Sequence, residues 1–238
     1  MSADDGGSPL EAAAIGASGT LLGLLVGAPF GVGIPAAIVA GANGTVCGWR
    51  RVYDWRSPKG VAAFVLDSTW ALPMTTAGLF ANAVGALTRG GFVVELSRRA
   101  NRQVYRRGFQ PRRGFAITLG SVISGGGDTS KPRRARLITD HEDVHVWQAR
   151  TLGPLYPLVY VGWMAAAGAV GVAAWATRHR EASLGKVVET YAYYLNPLEW
   201  WAYSRDDHWP PSGKVPGIGW KRPAARPLRC FRDDRNPA

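Results

Sequence analysis

Two of the four histidines in this 238-residue chain stand four positions apart in "DHEDVHVWQ", residues 140–148, with a glutamate directly after the first. On a helix that spacing puts His141 and His145 on one face, where two imidazoles can grip one Zn²⁺ while Glu142 reaches a water on the ion. Zinc lowers the pKa of such a water to about 7, so a neighbouring carboxylate can take its proton near neutrality. The same residues have a second use: Thr139 followed three residues later by Glu142 is a capping box, which would leave the histidines as polar surface residues.

Two imidazoles do not complete a zinc site, and the downstream candidates for a third ligand are His179, Glu189, Glu199, Asp206, Asp207 and His208. Glu199 is selected. It lies 54 residues after His145 in "NPLEWWAY", where Asn196 can cap a helix, Pro197 can take its first position and Glu199 falls in the first turn. Asn196 with Glu199 also reads as a second capping box, and on local sequence alone the two readings weigh equally.

"HEDVHVWQ" followed by "NPLEWWAY" resembles the zincin-type metallopeptidase-like domains of gluzincin type, which combine an H-E-x-x-H-x-x-Q helix with a later N-P-x-E-x-x-A helix. The resemblance spans roughly residues 115–205. It implies His141, His145 and Glu199 as zinc ligands and Glu142 as general base, with Gln148 matching the motif's glutamine without an assigned role. Where that group often has an acid after the alanine, this chain has Tyr203. The carboxylate that would orient a histidine must then come from elsewhere, Asp143, Asp206 or Asp207 being available. Tyr191, Tyr193, Tyr194, Tyr203 and His208 are open candidates for an oxyanion donor.

The elements that must position these residues are unusually apolar. No charge occurs between Glu11 and Arg50, only Asp67 between Lys59 and Arg89, and none between Arg150 and Arg178. Each stretch exceeds the roughly 20 apolar residues that span a bilayer as a helix. The mean hydropathy of −0.06 averages these stretches with a polar remainder and hides them. A cleavable signal is not expected, because Asp4, Asp5 and Glu11 replace a basic leading segment. The first stretch is interrupted by Pro29, Gly31, Gly33 and Pro35, which predicts two short helices packed through Gly and Ala faces. The second is broken by Pro73, with Asp67 expected to bond locally to Ser68, Thr69 or Trp70.

The net charge of +11 is local: residues 97–136 hold eleven Lys or Arg against Asp128 alone. Between apolar segments such a block fits anionic lipid headgroups and the positive-inside rule better than nucleic acid. Residues 115–124 alternate like a short strand before a glycine turn, with "RQVYRRGF" (102–109) as its expected hairpin partner. Cys47 and Cys230 have neither metal spacing nor a disulfide framework.

These observations predict a mainly α membrane protein with a small α+β portion, short strands preceding the H-E-x-x-H helix. The expected organisation is 1–96 hydrophobic membrane segments, 97–205 basic block and metal-site region with a further hydrophobic segment, and 206–238 a Pro-rich basic tail with little core of its own. A single bilayer crossing by residues 153–176 would put His141 and Glu199 on opposite sides, so that segment is expected to be re-entrant or to lie along the surface, with the site at the cytoplasmic face. The function that follows is zinc-dependent hydrolysis of a polypeptide. The competing reading is a non-catalytic membrane protein of assembly or lipid contact, its metal structural or absent.

Overall fold

The computed structural model describes residues 7–110, 114–206 and 209–228, and the chain divides into two compact units, Met1–Pro154 and Leu155–Ala238. Both are dominated by helix.

The first unit opens with a helical hairpin. Helix α1 (Pro9–Gly27) starts where Ser8 caps the Glu11 amide and Pro9 takes a position with no hydrogen to lose. A short 3₁₀ turn (Ala28–Phe30) and Gly31, in the left-handed region at φ 71°, reverse the chain into α2 (Gly33–Trp49). The proline and glycine interruption thus does what the sequence predicts. The two helices approach backbone to backbone: a Cβ on Gly19 would lie 2.6 Å from the Ala40 carbonyl oxygen, and one on Gly23 2.5 Å from that of Ala36. Gly44 and Gly48 make the matching approaches to Ile15 and Glu11, so one small residue per helical turn sets an antiparallel register.

Helix α3 (Pro58–Ser68) and α4 (Leu72–Leu87) follow, separated at Thr69–Ala71 because Pro73 begins a new helix and cannot continue the old one. After α5 (Val94–Ser97) comes a small sheet, with β1 (Gln103–Val104), β2 (Ile117–Leu119) and β3 (Val122–Ser124) in the order β1-β3-β2. The predicted strand is therefore two, folded at Gly120 (φ 57°) into an antiparallel β2–β3 pair. β1, from the expected hairpin partner, instead pairs parallel with β3, since intervening residues let it approach the far edge of that strand.

One helical run then carries the histidines. It begins as α6 (Pro132–Arg136), widens into a π-helical segment at Leu137–Glu142 and continues as α7 (Asp143–Leu152). Ile138 and Val146 from this run pack with Val93, Val104 and Ile123, which fixes the helix against the sheet. Gly153, at φ 52°, ends it.

The second unit begins with α8 (Leu155–Arg178), whose outward residues Leu158, Val161 and Val170 are exposed. The chain turns where Trp175 Nε1 donates to the Ala182 carbonyl. It then runs back along α8 as α9 (Leu184–Glu189) and a second π-helical segment, Thr190–Tyr194, with Gly168 and Gly171 facing Val188, Tyr191 and Ala192. Helix α10 (Pro197–Arg205) completes the return. Tyr160, near the start of α8, reaches Glu199 on α10, so α10 lies at the end where α8 begins. The stretch expected to be re-entrant is instead the single unbroken helix Leu155–Arg178, and it is residues 184–205 that run back along it.

Residues 209–228 contain no helix or strand, as the tail's composition suggests, yet they are bonded to the second unit. Trp220 stacks on Trp200 at 4.2 Å, Val215 N donates to Thr190 Oγ1 and Ala224 N to Ser204 Oγ. Two helical stretches, Pro9–Phe30 and Leu155–Arg178, are long and apolar enough to cross a membrane.

Candidate metal centre

His141, His145 and Glu199 are all buried, and a ligand atom from each lies within 4.8 Å of the others. Among the described residues, the third-ligand candidate that groups with the histidines is Glu199. His179 lies beside Glu181 at 3.6 Å, and Asp207 and His208 fall outside the described residues. A tetrahedral ion with bonds of about 2.0–2.1 Å holds its donor atoms roughly 3.3 Å apart, within that 4.8 Å limit. Two imidazoles and a carboxylate are also a donor set that zinc takes.

His145 and Glu199 are each held by a hydrogen-bonding neighbour. His141 lies in the π-helical segment and His145 on α7, their rings 5.1 Å apart and inclined at 74°. Wide turns of this kind recur at functional sites because they re-aim side chains that a regular helix would stack. His145 Nδ1 donates to Gln148 Oε1 at 2.8 Å. With its proton on Nδ1, the ring offers the Nε2 lone pair, which gives the motif's glutamine its role. Gln148 thus does for His145 what the sequence reading assigns to a carboxylate. Asp143 does not do it, because Arg102 Nη1 pairs with it at 2.7 Å.

Glu142 points to the strands. Thr118, on β2, donates its hydroxyl to Glu142 Oε2 at 2.7 Å. Neither capping box is present: Thr139 lies inside a continuous helical run and donates to Asp140 Oδ1. At the later motif Asn196 does cap, accepting from Leu198 N at 3.0 Å, and Pro197 takes the first position. The Asn196 amide, however, donates to the Tyr193 carbonyl, and Glu199 accepts from Tyr160 Oη at 2.6 Å. Tyr193 has its pKa pushed well above the usual tyrosine value by burial, with the negative charge of Glu199 adding to it, so its hydroxyl keeps its proton. Tyr203 Oη lies 3.5 Å from Tyr193 Oη.

Beneath α7 the first unit holds a buried ion pair. Arg150 Nε and Nη2 donate to Asp67 Oδ1 and Oδ2 at 2.9 and 2.8 Å, and Tyr53 Oη donates to Oδ2 at 3.0 Å. Asp67 is therefore not bonded locally to Ser68, Thr69 or Trp70 as its sequence neighbours suggest. Its partner lies 83 residues away on the histidine helix. Burial lowers the Arg150 pKa, but the charge and hydrogen bonds of Asp67 outweigh it and leave the guanidinium above its usual value. Burial, and then the Asp67 charge, push the Tyr53 hydroxyl well up.

Thr118, Tyr160 and Arg150 carry no signal in the linear sequence that ties them to this site. Only Gln148 had one, its place three residues after His145. Compared with protein-family models, with curated proteins and with solved structures, the chain matches none.

Proposed function

We propose that the chain is a membrane-associated, zinc-dependent hydrolase of peptide bonds, with His141, His145 and Glu199 as ligands and Glu142 as general base. The observation that carries this reading is the meeting of three buried ligand atoms within 4.8 Å from motifs 54 residues apart in sequence. A bound zinc ion would supply Lewis acidity, polarising a carbonyl and acidifying a water to a pKa of about 7.

The chain's own residues supply the rest. Glu142 Oε2 is held by the Thr118 hydroxyl, which leaves Oε1 to take a proton and return it to the leaving amine. Gln148 holds the His145 ring in one tautomer, and Tyr160 holds one oxygen of Glu199. β2 pairs on one side only among the described residues, so its other edge offers main-chain groups to an extended peptide beside Glu142. The basic block at residues 97–136 favours anionic headgroups and a cytoplasmic site.

The test is hydrolysis of a fluorogenic peptide library by the purified full chain in detergent micelles. Cleavage by wild type that disappears with a chelator and in Glu142→Gln supports the reading, and equal rates in wild type and Glu142→Gln refute it. Cysteine labelling that finds positions near 130 and 200 on opposite sides of the membrane would refute the single-face topology.

A further inference from the structure

The hairpin formed by α1 and α2 contributes no residue to the metal centre, yet it presents a long exposed apolar surface. Its buried distal positions are Gly or Ala, including Gly19, Gly23, Ala36 and Ala40, while Leu25, Phe30, Ile34 and Ile38 face outward. Phe30 at the tip is 78 % exposed and Ile34 72 %. A hairpin folding in water would turn its large apolar residues inward and its small ones outward; this one does the reverse.

We infer that the α1–α2 hairpin inserts tip-first into the hydrocarbon of an anionic bilayer. The proposal deepens the membrane-associated reading above and does not depend on the metal. Four observations choose lipid over a second copy or another protein. No charged residue occurs from residue 12 to 49. The hydroxyls of Thr20 and Thr45 are closed onto the carbonyls of Gly16 and Gly41, so they bring no unmet polar group into an apolar medium.

Part of the tip's backbone is also closed internally. Gly31 N donates to Ala28 O, Val32 N to Gly27 O and Ala36 N to Val32 O, while Pro29 and Pro35 have no amide hydrogen to satisfy. Irregular backbone survives in hydrocarbon only when its polar groups are met internally. The base of the hairpin has the opposite chemistry. Trp49 and Trp55 are exposed there, Arg56 and Lys59 face solvent, and Glu11, the only acid in α1, is neutralised by Arg99 at 2.6 Å. Tryptophan and arginine above an uncharged tip match the headgroup layer of an anionic leaflet. From Gly19 to the tip is about 17 Å of helix, close to the roughly 15 Å of one leaflet's hydrocarbon.

The test uses the full chain in vesicles of phosphatidylcholine and phosphatidylglycerol. An environment-sensitive probe is attached at position 30 in Phe30→Cys, and at position 56 in Arg56→Cys, each in a background with Cys47→Ala and Cys230→Ser. Lipids brominated on the acyl chain should quench the probe at position 30 at least about threefold more than that at 56, with aqueous iodide showing the reverse order. Iodide quenching of position 30 equal to that of position 56 overturns the proposal. So does cross-linking between position-30 cysteines of two chains without acyl-chain quenching, which would make the occupant a second copy. Circular dichroism and zinc content are measured on the same samples. Intact zinc with an aqueous tip defeats this inference alone, and a lipid-buried tip without zinc defeats only the hydrolase.

Discussion

Replacing Asp67 by alanine should be among the most damaging single changes in the first unit, and the structure sets its scale. Arg150 is 1 % exposed and Asp67 2 %, so the substitution leaves a guanidinium charge buried without its carboxylate and removes the acceptor of the Tyr53 hydroxyl. Breaking one side of a buried ion pair costs about 3–5 kcal/mol. At about 2–4 °C per kcal/mol for a chain of this size, the unfolding midpoint should fall by about 6–20 °C. The assay is thermal unfolding of the purified chain in detergent, followed by circular dichroism, with the exposed Glu181→Ala as control. Asp67→Leu combined with Arg150→Met, which removes both charges together, should recover at least about half of the loss. A midpoint for Asp67→Ala indistinguishable from the control, or a double variant worse than the sum of its parts, would refute the claim that this pair seats the histidine helix.

Two further outcomes follow from the same contacts. Gln148→Ala removes the acceptor that orients His145 and should weaken zinc affinity about 10- to 100-fold while the chain stays folded, measured by competition with a chromogenic chelator. Tyr53 and Tyr193 both have raised pKa values in the folded chain, so their contribution to stability is complete below the unfolded value of about 10 and is lost as pH rises toward the folded values. Denaturant unfolding should therefore show a level plateau from about pH 8 to 9.5 and falling stability above about pH 10, with Tyr53→Phe flattening the fall.

The parts of this architecture visible in the sequence are those governed by local chemistry. Pro29, Pro35 and Pro73 announce helix breaks, Asn196-Pro197 announces a helix start, and four-residue spacing places His141 and His145 on one face. What the sequence left hidden depends on partners far along the chain. Asp67 looks local because Ser68 and Trp70 adjoin it, but its carboxylate is satisfied by Arg150, and no periodicity announces a contact over 83 residues. Thr139 with Glu142 reads as a helix start because a capping box is a local pattern. The helix actually begins at Pro132, and a π-helical turn carries it past Thr139. Strand pairing was legible in composition but not in partner, since three-residue strands leave the choice to the long-range packing of Val104 and Ile123. For the third ligand, local sequence weighed a capping role and a metal role equally. The chain's return along α8 removes the capping role, because it delivers Glu199 to Tyr160 while the Asn196 amide donates to the Tyr193 carbonyl; the metal role is the proposal made above.

The most direct test of the central claim is elemental zinc analysis of the purified full chain beside His145→Ala, Glu199→Ala and Glu142→Gln, each loaded with zinc and freed of excess. The account predicts about one zinc per chain in wild type and in Glu142→Gln, and loss of most of it in His145→Ala and Glu199→Ala. Full zinc occupancy in Glu199→Ala, or none in folded wild type after loading, would contradict it.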